Sequence, residues 1–176
     1  NSLTHYGEMS VYGKEIPLSC LGIVMKVNQI MIAIIVGIAI GAQPIVGFNY
    51  GAGNLSRVKK TYLTSVCIAS TFSVAAWLAY MFLPQAIISI FGNESALYNE
   101  FAIKCFRQFL LCAFVAGMQI VSSNFFQAIG KPLKAAVLSL SRQVLFLIPL
   151  MLILPIFMEL EGILYAGPIA DSMSFI

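Results

Sequence analysis

Charged residues are scarce in this chain. Asp, Glu, Lys and Arg together supply 10% of its 176 residues, whereas soluble domains carry roughly 25%. Residues 27–56 contain no charge at all, and this stretch exceeds the roughly 20 residues that a helix needs to cross a bilayer. Hydrophobic residues reach 60%. The composition excludes a soluble domain and predicts an all-α, polytopic membrane helix bundle.

Motifs of catalysis and metal binding are also missing. The chain has no HExxH, no GxSxG and no phosphate-binding loop. Its four cysteines form no CxxC pair, and we interpret them as small buried hydrophobic residues. The net charge of +3 comes from dispersed basic residues rather than from one basic face. We therefore expect no enzyme, no bound cofactor or metal, and no nucleic-acid partner.

Five membrane spans are predicted from the apolar stretches and the breaks between them. They cover residues 18–48, 58–83, 102–129, 133–158 and 163–176, of which the last is truncated. Residues 1–12 are typical of the tail of an earlier helix, and residues 85–92 of a short helix at the membrane surface. Because both ends fall within helices, we expect the chain to be part of a larger protein.

The loops between the predicted spans alternate in charge. Loops 51–60 and 130–134 are basic, whereas loops 84–100 and 158–162 contain acidic residues and no lysine or arginine. Lysine and arginine concentrate in the cytoplasmic loops of membrane proteins. We therefore expect loops 51–60 and 130–134 to be cytoplasmic in a multi-pass protein of the inner (plasma) membrane.

Small residues and a proline mark the first span. Ala33, Gly37 and Gly41 follow one another at helical spacing and share a face, which predicts close approach of a second helix. Gln43-Pro44 is predicted to interrupt the helix, because proline lacks an N–H and its ring crowds the preceding turn.

Two charged residues, Arg142 and Asp171, lie well inside predicted spans. A charge at the bilayer centre costs at least ~2.5–3.5 kcal/mol, so such a side chain faces protein or water. Arg142 either lines a cavity or braces neighbouring helices. Asp171 is the candidate ion-pair partner of Arg142 or, if it faces water, a proton-binding group.

Uncharged polar side chains also occur inside the spans. Gln119, Ser123 and Gln127 form one stripe at helical spacing, flanked by Ser122 and Asn124. Such a stripe indicates either the wall of a water-accessible cavity or hydrogen bonds between helices, worth ~0.6 kcal/mol each on average. The candidate cavity-lining residues are the polar side chains Asn28, Gln29, Gln43, Gln119, Ser123, Gln127 and Arg142.

Four stretches of the chain carry a family resemblance. They are GIAIGAQPIVGFNYGAGNLSRVKK at 37–60, FxQAxGK at 125–131, SLSRQxxFLIPL at 139–150 and GPIADxxSFI at 167–176. In this order they resemble the transporters of the multidrug and toxic compound extrusion (MATE) family. The resemblance covers nearly the whole chain.

The resemblance implies a fold and a function. MATE proteins have 12 helices in two lobes, and residues 1–176 correspond to the C-terminal lobe: the end of helix seven, helices eight to eleven and the start of helix twelve. The implied activity is secondary active antiport, in which cationic or amphipathic drugs and toxins leave in exchange for Na+ or H+. The implied partners are an organic-cation substrate, the lipid bilayer and the N-terminal lobe that the chain lacks.

The resemblance leaves the coupling ion and the exact transport class open. One MATE subgroup couples to cations through carboxylates on helices seven and ten, but residues 101–131 contain no Asp or Glu. We therefore assign no cation ligand, and the coupling ion, Na+ or H+, is not identified. A lipid or polysaccharide-precursor flippase of the same superfamily is the alternative. It requires a more cationic cavity than Arg142 alone provides.

Overall fold

The computed structural model describes residues 15–91, 96–140, 148–150 and 169. In these ranges the regular structure is entirely helical. The elements are α1 Glu15–Gly51, α2 Leu55–Phe82, α3 Pro84–Phe91, α4 Ala96–Phe109, a 3₁₀ turn Ala113–Val115, α5 Ala116–Ala128 and α6 Pro132–Leu140. Helices α1 and α2 are each long and apolar enough to cross a membrane, and α4 with α5 forms a third, bent candidate.

Helix α1 is continuous through Pro44, so the predicted interruption at Gln43-Pro44 is wrong. Its 37 residues span about 55 Å at the usual helical rise. Proline removes one backbone hydrogen bond, but a membrane helix tolerates this when its neighbours and its remaining bonds hold it in place. Buried residues on both sides of Pro44, Ala39 and Val46, pack into the bundle and keep α1 helical.

A tight turn connects α1 to α2. Gly53 has a φ of +73°, a left-handed conformation that favours glycine. Gly53 N donates to Tyr50 O at 3.1 Å and Asn54 N donates to Asn49 O at 2.8 Å, which is the Schellman arrangement of a helix end. The Asn54 side chain then caps α2 by accepting from Arg57 N at 3.4 Å.

The same turn chemistry recurs between α5 and α6. Gly130 has a φ of +72°, Gly130 N donates to Gln127 O at 3.1 Å, and Lys131 N donates to Phe126 O at 2.9 Å. The two turns lie at the same end of the bundle, because a Cβ placed on Gly47 would lie 3.5 Å from Ala128 O. The basic loops 51–60 and 130–134 therefore lie at one end of the molecule.

The third predicted span, 102–129, is broken rather than continuous. Its two halves, Leu97–Phe109 and Ala113–Ala128, are bent by 45°. At the break, Trp77 Nε1 of α2 donates to Leu111 O at 2.7 Å, and Val115 N donates to Cys112 O at 3.1 Å instead of to Leu111 O. The Trp77 indole thus occupies a carbonyl at the break, the kind of position where a side chain that enters the helical hydrogen-bond ladder accompanies a sharp bend.

Helices α1, α2, α4 and α5 surround one apolar core. On α1 the buried residues form a stripe at helical spacing that includes Val24, Met31 and Ile35. Phe106 of α4 is fully buried, and its ring lies 6.2 Å from that of Tyr80. Many large hydrophobic side chains on the outer faces of α1 and α2 are exposed, as is normal where lipid replaces water as the solvent.

Helices α5 and α2 approach each other closely at Gly117. A Cβ at this position would lie 2.5 Å from Ser73 Oγ and 2.6 Å from Ala69 O. No described residue lies within 4 Å of a Cβ placed on Gly37 or Gly41, where the sequence predicted close approach of a helix. Glycine therefore allows α5 to touch the backbone of α2, and the predicted close approach at Gly37 and Gly41 is not made by the described residues.

The four cysteines form no disulfide. Cys20, Cys105 and Cys112 are buried as predicted, and Cys20 Sγ donates to Tyr98 O at 3.8 Å. Cys67, in contrast, is exposed on α2. It lies on the outer surface of a predicted membrane helix, where a small hydrophobic residue faces lipid as readily as core.

Candidate functional site

A polar contact joins α1 and α5 inside the otherwise apolar bundle. Gln43 Nε2 donates to Asn124 Oδ1 at 2.9 Å, and Asn124 Nδ2 donates to Ile120 O on its own helix at 2.9 Å. Both side chains are half-buried. Each amide therefore keeps hydrogen-bonding capacity beyond the contact that joins the helices.

A second polar contact joins α2 to the same part of α5. The hydroxyls of Tyr62 and Ser122 are 2.9 Å apart. Ser122 Oγ donates its hydrogen to Met118 O at 2.8 Å, so the Tyr62 hydroxyl is the donor toward Ser122. The Tyr62 ring also packs against Phe125, with 4.6 Å between the centroids.

A small cavity lies between these two contacts. It measures about 10 Å³, close to the least volume that holds one water molecule. Its lining combines the polar side chains Gln43, Tyr62, Ser65 and Asn124 with apolar residues of α1 and α5. Several hydrogen-bonding groups therefore converge where three helices meet.

The chemistry of this polar cluster, defined as Gln43, Tyr62, Ser122 and Asn124, is neutral. Amides and hydroxyls bind water, carbonyls and other polar groups but supply no charge. The carboxylates among the described residues are Glu15 and Glu100, and both are exposed near helix starts. The described part of the chain contains no group of His, Cys, Asp and Glu able to hold a metal ion.

The structure separates the predicted cavity residues of α1 into two levels. Gln29 and Gln43 are about four helical turns apart, roughly 21 Å along the axis, and so share a face. Gln29 is exposed, and the neighbouring Asn28 is half-buried. These two residues thus lie far from the polar cluster, and only Gln43 contributes to it.

The described side-chain hydrogen bonds from α5 to α1 and α2 come from residues beside the predicted stripe. Ser123, its middle member, is buried and donates to Ala135 O of α6 at 3.4 Å. Gln119 is half-buried and Gln127 is exposed. The flanking residues Ser122 and Asn124 make the contacts to α2 and α1. Arg142 and Asp171, the candidate ion pair, lie outside the described residues.

Sequence reasoning missed two partners on α2, Tyr62 and Trp77. Each is an aromatic residue with a polar tip inside an apolar helix, and such a residue needs a hydrogen-bond partner when buried in a bilayer. That signal was available for Trp77, the single tryptophan of the chain. Its acceptor, the backbone oxygen of Leu111, lies more than 30 positions away in the sequence, so the sequence alone did not identify it.

Family comparison agrees with this helical membrane architecture. The sequence profile of the MatE family matches residues 9–153, which is most of the chain. The chain belongs to the MatE family. The similar proteins carry the names of transporters, not of enzymes.

Two curated relatives and one solved structure illustrate the relationship. The FAD transporter of Shewanella oneidensis is 22% identical over 88% of this chain and 34% of its own length. The multidrug export protein MepA of Staphylococcus aureus is 21% identical over 97% of this chain and 36% of its own length. The chain thus spans about a third of the length of these relatives.

The solved structure is that of the MATE multidrug transporter DinF-BH in complex with a small molecule. It is 37% identical to this chain and superimposes with a TM-score of 0.80 over 88% of this chain and 34% of its own. The arrangement of helices described here is therefore that of part of a MATE transporter.

Proposed function

We propose that this chain is the C-terminal lobe of a secondary active antiporter that exports cationic or amphipathic compounds in exchange for Na+ or H+. The observation that carries the proposal is the 37% identity, over 88% of the chain, to a multidrug transporter whose structure holds a small molecule. The absence of a phosphate-binding loop from this chain fits transport driven by an ion gradient.

The proposed wall of the substrate cavity is the face of α1 that carries Gln29 and Gln43, together with the adjoining side of α5. Gln43 and Asn124 offer neutral hydrogen-bonding groups there, and Gln127 is exposed nearby at the end of α5. A neutral polar wall suits varied amphipathic ligands, because it orients them without demanding one charge pattern. We also propose that Arg142 and Asp171 form an ion pair within the membrane.

The proposed orientation places both basic turns in the cytoplasm. Arg57, Lys59 and Lys60 lie beside one turn, and Lys131 and Lys134 beside the other. Since the two turns lie at the same end of the bundle, a single orientation satisfies the positive-inside rule for both.

The test is an efflux assay with the full-length parent protein in lipid vesicles. A fluorescent cationic dye is loaded, and a Na+ gradient and a pH gradient are imposed separately. Efflux driven by one gradient supports the antiporter and identifies its ion. Efflux under neither gradient, with the protein correctly inserted, contradicts the proposal and favours a flippase, which a labelled-lipid translocation assay then checks.

Matched variants assign the cavity wall in the same assay. Gln43→Ala and Gln29→Ala are expected to change the apparent KM for the dye by several-fold. Gln85→Ala, on the exposed surface of α3, is the control and is expected to leave it unchanged. Equal KM values in all three variants would remove α1 from the proposed wall.

A further inference from the structure

A groove separates α1 from α2 on the outer surface of the hairpin. Its volume is about 550 Å³, and all of its lining residues belong to these two helices. The lining includes Ile38, Ile45 and Asn49 of α1 and Arg57, Lys60, Thr64 and Ile68 of α2. The volume falls in the range of about 300–1,000 Å³ that is typical of small-molecule sites.

The two ends of the groove differ in chemistry. At the end near the turn, the exposed cations Arg57 and Lys60 lie beside the first turn of α2. The N-terminal end of the α2 helix dipole adds partial positive charge at this end of the groove. At the other end the lining is mainly aliphatic, with Ile38 of α1 and Ile68 of α2, and the short polar side chains of Thr64 and Ser65 line the groove before Ile68. The groove therefore pairs an anion-attracting mouth with a mainly apolar channel.

The length of the groove matches one leaflet of a bilayer. On α1 its lining runs from Ile38 to Asn49, about 16 Å along the helix axis. Half of the hydrocarbon core is about 15 Å thick. A molecule whose anionic group lies at Arg57 and Lys60 therefore reaches the bilayer midplane at the level of Ile38.

The surface around the groove is suited to lipid. Ile34 and Ile45 are 45% and 51% exposed, and Phe48, near the turn, is 79% exposed. These side chains lie on the flank of α1 next to the groove, away from the face that carries Gln29 and Gln43. Large exposed hydrophobic residues on a membrane helix mark the side that meets acyl chains.

We propose that this groove is a binding site for an anionic glycerophospholipid. The phosphate group binds Arg57 and Lys60, and one acyl chain lies between Ile45 and Ile68. Basic pockets between membrane helices at the membrane surface bind anionic head groups in this way. The lipid is a bound component of the protein and not the exported compound, so this inference does not depend on the substrate or on the coupling ion.

The experiment measures the phospholipid that the full-length parent protein retains. The protein is incorporated into vesicles of equal phosphatidylglycerol and phosphatidylcholine, extracted in detergent, washed and analysed by mass spectrometry. The wild-type protein is expected to retain phosphatidylglycerol selectively. The double variant Arg57→Gln/Lys60→Gln is expected to retain at least fivefold less of it.

The matched control is Lys59→Gln. Lys59 is exposed in the same turn of α2 but does not line the groove, so this variant loses a charge without changing the site. It is expected to retain phosphatidylglycerol within twofold of wild type. An equal loss in Lys59→Gln and in the double variant would show nonspecific attraction and overturn the proposal. The single variant Lys60→Gln replaces the double variant if the latter unfolds.

A second variant tests the acyl-chain part of the groove. Thr64→Phe fills the channel without changing charge, and it is expected to reduce retention of both lipid classes. Undiminished retention in Thr64→Phe, or no selective retention by the wild type, would mean that another part of the protein covers the groove, and the proposal would be wrong. Added inorganic phosphate is expected not to displace the lipid, which separates lipid binding from binding of a free anion.

Discussion

The side-chain amides of Gln43 and Asn124 meet between α1 and α5, with Gln43 Nε2 donating to Asn124 Oδ1 at 2.9 Å. Gln43 immediately precedes Pro44, where α1 lacks one backbone hydrogen bond. The polar contact thus fixes α1 against α5 at the point where the α1 backbone is weakest.

The first prediction concerns the energy of this contact. In a double-mutant cycle, Gln43→Leu and Asn124→Leu are expected to show a coupling of about 0.6 kcal/mol, the average for hydrogen bonds between membrane helices. The measurement is unfolding of the full-length parent protein in mixed detergent. The control cycle pairs Gln43→Leu with Gln127→Leu, an exposed position, and is expected to be additive. Additivity in both cycles would contradict a stabilising contact.

The second prediction concerns the close approach of α5 to α2. Gly117→Ala is expected to destabilise the protein by about 1–3 kcal/mol, because the added methyl group overlaps backbone atoms of Ala69 and cannot move aside. Gly22→Ala is the control, since no described atom lies within 4 Å of its Cβ position. Thermal unfolding in detergent measures both. Equal melting temperatures for the two variants would show that the helices separate without cost.

The third prediction concerns the bend between α4 and α5. Trp77→Phe keeps an aromatic ring but removes the donor to Leu111 O, and a hydrogen bond of this kind contributes about 0.5–1.5 kcal/mol. We expect a lower melting temperature in detergent. Phe114→Leu removes the ring contact with Trp77, whose centroids are 5.8 Å apart, and keeps the hydrogen bond. A larger loss in Phe114→Leu than in Trp77→Phe would assign the stability to ring packing instead.

The fourth prediction concerns Arg142, which the sequence predicts to lie within a membrane span. Arg142→Ala is expected to impair transport or folding of the full-length parent more than Lys59→Ala, because a charge in such a span would need a protein partner or water whereas Lys59 is exposed beside a turn. Expression level and dye efflux are measured together. Wild-type expression and wild-type dye efflux in Arg142→Ala would show that neither transport nor folding depends on this residue.

The apolar runs predicted the long helices but not the internal break. Helix α2 extends from Leu55 to Phe82, where the sequence predicted a span over 58–83. The break near Leu111 contains neither proline nor glycine, and the side chain that bonds to its backbone is a tryptophan on another helix. Local sequence carries no signal for a bend of that kind.

The sequence identified polar residues within the predicted spans, but it did not predict which of them contact which neighbouring helix. The spacing of Gln119, Ser123 and Gln127 correctly placed them on one stripe, yet the position of α6 buries Ser123 and leaves Asn124 to meet Gln43. Similarly, the glycine spacing predicted a close helix contact at Gly37 and Gly41 of α1. The close contact that the structure describes is instead between Gly117 of α5 and the backbone of α2. Which face becomes an interface depends on helix arrangement, and periodicity alone does not encode that.

The turn between α1 and α2 has a mechanical consequence. Its residues Ala52, Gly53 and Asn54 are all tied by backbone hydrogen bonds to the end of α1, and Asn54 also caps α2. The connection contains no flexible residue, because each of its residues is hydrogen-bonded to a helix end. An axial shift of α1 is therefore expected to move the start of α2 as well. A spectroscopic label at the exposed Ser56 would therefore report the position of α1 and of the whole hairpin during the proposed transport cycle.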